Sequence, residues 1–202
     1  MKKTQSHSVW SMRFFWVLSI WFCLQSTSVV AKQGIYFTTL SERIQDQTLM
    51  LNAKVDFKLP EQVVSAIHHD IPILFKTEMV LLEEKSLLGI PFNRVRKSIE
   101  YRTELYAYGV NRYYVLYNHR NHKRQTFQTL EEALQTLGTL QALPVMSLVA
   151  LHPEQTYLFK IRISLDKWRL PPPLLIDALL EPYWQLDSGW QSFQIHTPKS
   201  WH

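Results

Sequence analysis

The sequence predicts an α+β domain that is mainly β: a largely antiparallel, sandwich-like sheet with two short helices. Three observations point there. Residues 48–59 place Leu49, Leu51, Ala53, Val55, Phe57 and Leu59 on one parity, with Asn52, Lys54, Asp56 and Lys58 on the other. That period of two is the mark of a half-buried strand. Tyr157, Phe159, Ile161, Ile163 and Leu165 repeat it against Lys160, Arg162 and Ser164. Between these segments strand follows strand, an order that favours antiparallel pairing over a parallel sheet.

The chain has 202 residues, 46% hydrophobic and 13% aromatic, which suits one β-rich domain over residues 35–195. The first 31 residues differ from the rest. Lys2, Lys3 and Arg13 are positive, residues 14–24 form an apolar run broken only by Ser19, and no acid precedes Glu42. This is the pattern of a secretory signal peptide, with Val29 and Ala31 at the positions three and one before a cut. The alternative is an uncleaved inner-membrane anchor over residues 14–31, close to the length a spanning helix needs. The expected location is therefore exported and periplasmic. Cys23 is the only cysteine and lies in the leader, so the mature domain relies on its core rather than on disulfides. Three of the five net positive charges also lie there, which leaves +2, too little to argue for nucleic acid.

In chain order, residues 34–40 read as a first strand and the polar residues 41–47 as a turn into the organising strand. Pro60 stops that strand, and Glu61 with Val63, Val64, Ala66 and Ile67 predicts a short helix ended by His68, His69 and Asp70. Ile73, Phe75, Thr77, Met79 and Leu81 share a face of the next strand. The alternation lapses over residues 85–96, where Gly89, Pro91 and Asn93 predict a loop carrying Leu87, Leu88, Ile90 and Phe92. Gly109, Val110 and Asn111 separate two Tyr-, Leu- and Val-rich runs, the clearest hairpin in the chain. Its tyrosines, Tyr101, Tyr106, Tyr108, Tyr113, Tyr114 and Tyr117, suit cross-strand packing. A short strand at residues 124–127 precedes Thr129 and Glu132, spaced as a capping box before a helix with Leu130, Ala133, Leu134 and Leu137 on one side and Gly138 at its end. Residues 139–156 read as loop. Pro171, Pro172 and Pro173 predict a stiff extended segment, and the tail carries Trp184, Trp190 and Trp201 around a turn at Asp187, Ser188 and Gly189.

Catalytic spacing is absent. Five glycines include no phosphate-binding loop, there is no Gly-x-Ser-x-Gly elbow, and the mature part has no cysteine nucleophile. Two acid pairs, Glu83 with Glu84 and Glu131 with Glu132, are adjacent in sequence and so point apart. His119 with His122, and His68 and His69 with Asp70, are too few to form a metal site by spacing alone. Neither a cofactor nor a metal is expected. The more suggestive feature is the apolar loop with its basic neighbours: Leu87, Leu88, Ile90, Phe92, Arg94 and Arg96 form the candidate partner-binding set. A second basic group, Arg120, Lys123 and Arg124, also suits an acidic partner or anionic headgroups.

The run LNAKVDFKLPEQVVSAI, the following IPILFKTEMVLLE, the YRTELYAYGVNRYYV hairpin, the TFQTLEEALQTLGTL helix and the KIRISLDKWRLPPPLLIDALL segment resemble, in that order, the proteobacterial family catalogued as domain of unknown function 4390. The resemblance covers residues 34–190. It implies an exported envelope protein without an assigned activity, in a genetic neighbourhood of membrane sensor kinases, and so a signalling or envelope-maintenance context. It assigns no site residue. The expected function is a noncatalytic periplasmic interaction module with an envelope or membrane-protein partner and peripheral membrane contact as a further option. A small-ligand or lipid-binding domain is the first alternative and a metal-dependent hydrolase the second.

Overall fold

A strand that alternates as residues 48–58 do has one face to bury, and a second sheet buries it. In the computed structural model, which describes residues 33–109 and 112–197, β1 (Gly34–Gln45) pairs antiparallel with β2 (Thr48–Lys58). The turn between them is Asp46–Gln47, both at positive φ (47° and 55°), the backbone that two-residue hairpin turns require. Residues 41–45, expected in a turn, continue the strand. Their polarity reflects an exposed edge, where backbone pairing to β2 needs no apolar face.

Pro60 opens α1 (Glu61–His68), which buries Val63, Ala66 and Ile67. Two long strands follow, β3 (Ile73–Leu87) and β4 (Ile90–Tyr108), then β5 (Tyr113–Asn118) and β6 (Lys123–Phe127). β8 (Thr156–Leu165) pairs with the other edge of β3, and β9 (Gln191–His196) completes a six-stranded antiparallel sheet in the order β6-β5-β4-β3-β8-β9. The smaller sheet has the order β1-β2-β7, where β7 (Thr139–Ser147) occupies part of the expected loop. Two register irregularities and Pro144 hide β7 from a period-two reading. An edge strand tolerates both, because a proline there forfeits no interior ladder bond.

The two sheets meet through the predicted faces. Leu49, Leu51, Ala53, Val55 and Phe57 of β2 are buried, as are Ile73, Phe75, Thr77, Met79 and Leu81 of β3 and all five alternating residues of β8. The Phe57 and Phe75 rings meet edge-on, centroids 5.2 Å apart. At roughly 1.5–3 kcal/mol per large side chain fully buried, this layer is the main stabilising element.

The capped helix is α2 (Leu130–Leu137). The Thr129 hydroxyl accepts from the Glu132 backbone N–H at 3.2 Å, and the Glu132 carboxylate accepts from the N–H of Gln128 at 3.3 Å. Gly138 follows with an ordinary helical φ of −78°, so its role is close approach rather than left-handed backbone. Its carbonyl accepts from Val55 N–H at 2.8 Å, and a Cβ there would lie 2.0 Å from the Val55 carbonyl oxygen. A third helix, α3 (Pro172–Leu180), replaces the stiff extended segment expected at the prolines: Pro172 takes the first helical position, where its missing N–H costs no intrahelical bond. The leader, Cys23, Val110, Asn111 and Trp201 fall outside the described residues.

Candidate functional site

The expected loop at residues 85–96 is instead the far end of the β3–β4 hairpin. Its turn is Leu88–Gly89, with φ of 52° and 82°. β8 accompanies β3 only as far as the Glu83↔Tyr157 pair, so beyond it β3 has β4 alone as neighbour. The result is a two-stranded arm on which every residue from 86 to 95 is exposed. Leu88 is 96% exposed, Ile90 70%, Leu87 66%, Val95 59% and Phe92 47%.

A bulge explains why alternation lapses there. Leu81 pairs with Lys97 but Leu82 with Val95, so Arg96 is the extra residue in β4. Core-lining residues of β4 are odd-numbered on one side of the bulge (Tyr101, Thr103, Leu105, Ala107), while Arg94, Phe92 and Ile90 share the face of Glu83, Lys85 and Leu87 on the other. The apolar face of the arm therefore continues the core-lining face of β3 past the end of the second sheet.

At the root of the arm sits Glu83, whose side chain is fully buried. The Lys85 ammonium lies 3.0 Å from it, His152 Nδ1 3.3 Å and Arg96 Nε 3.9 Å, and the Tyr157 hydroxyl donates to it at 3.4 Å. Burial by itself pushes the Glu83 carboxyl up. The Lys85 hydrogen bond and the charges of Lys85, Arg96 and His152 outweigh that and hold it below the ordinary carboxylate range. Burial also raises the Tyr157 hydroxyl, which keeps it protonated and able to donate. Arg96 turns inward to this cluster and donates to the Ala150 carbonyl at 3.0 Å. The structure thus divides the candidate set: Leu87, Leu88, Ile90, Phe92 and Arg94 lie on the arm, whereas Arg96 anchors its base. Parity continues the face of Phe75, Thr77, Met79 and Leu81 to Glu83 and puts Glu84 on the opposite one, where it accepts from Gln194 at 3.2 Å, but nothing in the sequence names Arg96 and His152 as the groups that Glu83 meets.

The remaining candidates are dispersed. His68 contacts the Tyr114 hydroxyl at 2.9 Å, His119 the Glu104 carboxylate at 3.1 Å and His122 the Tyr117 hydroxyl at 3.0 Å. Among the described residues no group of three or more His, Cys, Asp or Glu is placed to hold a metal. Tyr101 and Tyr114 belong to the core-facing side of the large sheet, while Tyr106, Tyr108, Tyr113 and Tyr117 lie on its other side, where Tyr108 pairs with Tyr113. The second basic group covers rings: the Arg120 guanidinium lies 5.7 Å from the centroid of Tyr101 and that of Arg124 5.6 Å from Tyr117.

Two further features were not legible in the sequence. An open cleft of about 500 Å³ lies between β7 and strands β4–β6. Phe57, Thr77, Tyr101 and Thr103 form its buried floor, Arg120 and Lys123 stand at its rim, and no acid lines it among the described residues. At the opposite end of β3 from the arm, α3 leaves Ile176, Leu179 and Leu180 exposed near Trp168. Among the described residues no helix is long and apolar enough to cross a membrane.

No curated protein and no solved structure matches the chain. A family model does, over residues 32–194, nearly the whole of the described domain. Its description is a domain of unknown function, DUF4390, and the chain belongs to that family.

Proposed function

We propose that this protein is a noncatalytic interaction module of the bacterial envelope, an accessory to a membrane sensor or envelope complex, and that the β3–β4 arm is its contact element. One observation carries the reading: Leu87, Leu88, Ile90 and Phe92 stand exposed at the end of a ribbon that, among the described residues, no other element covers. Isolated exposed leucines need no explanation, but a contiguous apolar tip exposes surface that only a partner removes from water. The buried ion cluster supports the reading as well, because it fixes the root of the arm.

The test places a photo-crosslinking residue at Phe92 in cells and identifies what it captures. Recovery of a reproducible envelope component, lost with Leu88→Asp, is the expected result. Absence of any arm-dependent adduct, together with an unaltered phenotype for Leu88→Asp combined with Phe92→Asp, refutes the reading.

The cleft favours a second reading, a binding domain for a small anionic ligand with apolar character, because its floor is largely buried and the charged residues that line it among those described, Arg120 and Lys123, are cationic. Native mass spectrometry of protein purified from the envelope tests it. A co-purified ligand displaced by Arg120→Glu is expected, and a ligand-free protein argues against it.

A further inference from the structure

We infer that the occupant of the arm is the anionic surface of a lipid bilayer, into which the tip inserts as a shallow wedge. The inference rests on the arm being the contact element and adds what it contacts.

The order of residues along the arm carries the argument. Farthest out are Leu88 and the Leu87/Ile90 pair, then Ser86/Pro91, then Lys85/Phe92, then Glu84/Asn93, Glu83/Arg94, Leu82/Val95 and Leu81/Lys97. At roughly 3.3 Å per residue, Lys85 stands about 7 Å behind the Leu87/Ile90 pair, Arg94 about 13 Å and Lys97 about 20 Å. Apolar groups therefore lead and cations follow. That axial separation matches a bilayer, where acyl chains lie beneath a headgroup layer several ångströms thick. Phe92, level with Lys85, falls where aromatic rings favour the interface, and long basic side chains reach headgroups while their stems lie against apolar surface. A protein groove would impose no such layering.

Charge points the same way. Of the two acids on the arm, Glu83 is buried among cations, Lys85 included, and Glu84 is held by Gln194, while Arg94 and Lys97 are exposed and available to anionic headgroups. Depth is limited by the backbone. The outer edges of a two-stranded ribbon carry unpaired N–H and C=O groups, which forbid passage through the hydrocarbon and restrict the arm to the interface. α3, the other exposed apolar surface, packs against residues 167–169, which follow the end of β8 that pairs with the start of β3, and β3 itself is about 45 Å long at the same rise per residue. Only one of the two ends leads.

The experiment uses the full chain with Cys23→Ser and a single cysteine introduced at Leu88, Leu180 or Gln128, each carrying an environment-sensitive fluorophore. The probe reports the depth of its own residue, so the result does not depend on the leader. Vesicles of phosphatidylcholine with a quarter phosphatidylglycerol, with and without nitroxide-labelled acyl chains, supply the surface. The emission at residue 88 is expected to shift to the blue and to be quenched by the nitroxide, while residues 180 and 128 stay aqueous. In the residue-88 chain, Ile90→Asp is expected to weaken insertion of the tip, read as the fraction of residue-88 emission shifted and quenched, by about tenfold or more. Arg94→Glu with Lys97→Glu is expected to do the same, as is raised salt to a lesser degree. All four residues are outside the core, so thermal melts should match the parent and exclude misfolding. Aqueous emission at residue 88 overturns the inference, as does a shift at residue 180 instead. If residue 88 stays aqueous while the Phe92 crosslink captures a protein, the arm is a contact element for protein and only the bilayer inference fails. If neither occurs, both readings fail.

Discussion

Replacing Glu83 by Gln keeps the size of the side chain and removes its charge, which isolates the contribution of the ion cluster at the root of the arm. In the native protein the carboxylate meets Lys85 at 3.0 Å, His152 at 3.3 Å and Arg96 at 3.9 Å. Breaking a fully buried ion pair costs roughly 3–5 kcal/mol, because the abandoned partner stays uncompensated. Here the Lys85 and Arg96 side chains are 34% and 19% exposed and regain water, so the cost falls toward one charge-assisted hydrogen bond, about 2–3 kcal/mol. For a domain of this size that is a fall in melting temperature of about 4–12 °C. The sign of its pH dependence follows from the depressed pKa. A carboxyl held lower in the folded than in the unfolded chain contributes stability that is complete above its unfolded value and is lost as pH falls through its folded value. Melting curves of wild type and Glu83→Gln should therefore be well separated at neutral pH and converge in acid, once the native carboxyl is protonated. Equal melting temperatures at pH 7, or a difference that persists undiminished at low pH, would refute the argument.

Four other perturbations have definite outcomes. Gly138→Ala drives a Cβ against the Val55 carbonyl and breaks the 2.8 Å bond between α2 and β2, at a cost of about 2–4 kcal/mol by thermal or urea melting; a neutral variant would mean the helix end shifts freely. Thr129→Ala removes the cap of α2 and should cost about 1 kcal/mol, with Thr129→Ser restoring most of it. Leu88→Asp should change stability by less than about 0.5 kcal/mol, since its side chain touches solvent almost entirely, and a larger loss would place it in a core. Asp177→Ala deprives both the Tyr183 hydroxyl and the buried Trp184 indole N–H of a shared acceptor at 2.8 Å, with an expected loss of about 2–3 kcal/mol and a changed near-ultraviolet dichroism; an unaltered spectrum would count against that role.

Periodicity and capping chemistry determined much of this protein without any structure. The strict alternation in β2 and β8 named their buried faces, Thr129 and Glu132 marked the start of α2, and the order of elements indicated antiparallel pairing. These are local properties: whether a side chain faces the core follows from parity alone once the neighbouring sheet exists. What only the tertiary structure decided depends on where partners stop. β7 was concealed by bulges that an edge strand tolerates, and α3 by prolines that stiffen an extended chain and start a helix equally well. The arm was concealed by the extra residue at Arg96, which switches parity midway through β4. The same bulge turned Arg96 from the candidate contact surface to the root. Parity placed Glu83, and not Glu84, on the core-lining face of β3, but the Arg96 and His152 side chains that meet it come from β4 and the segment before β8, a long-range relation that adjacent positions in a chain do not encode.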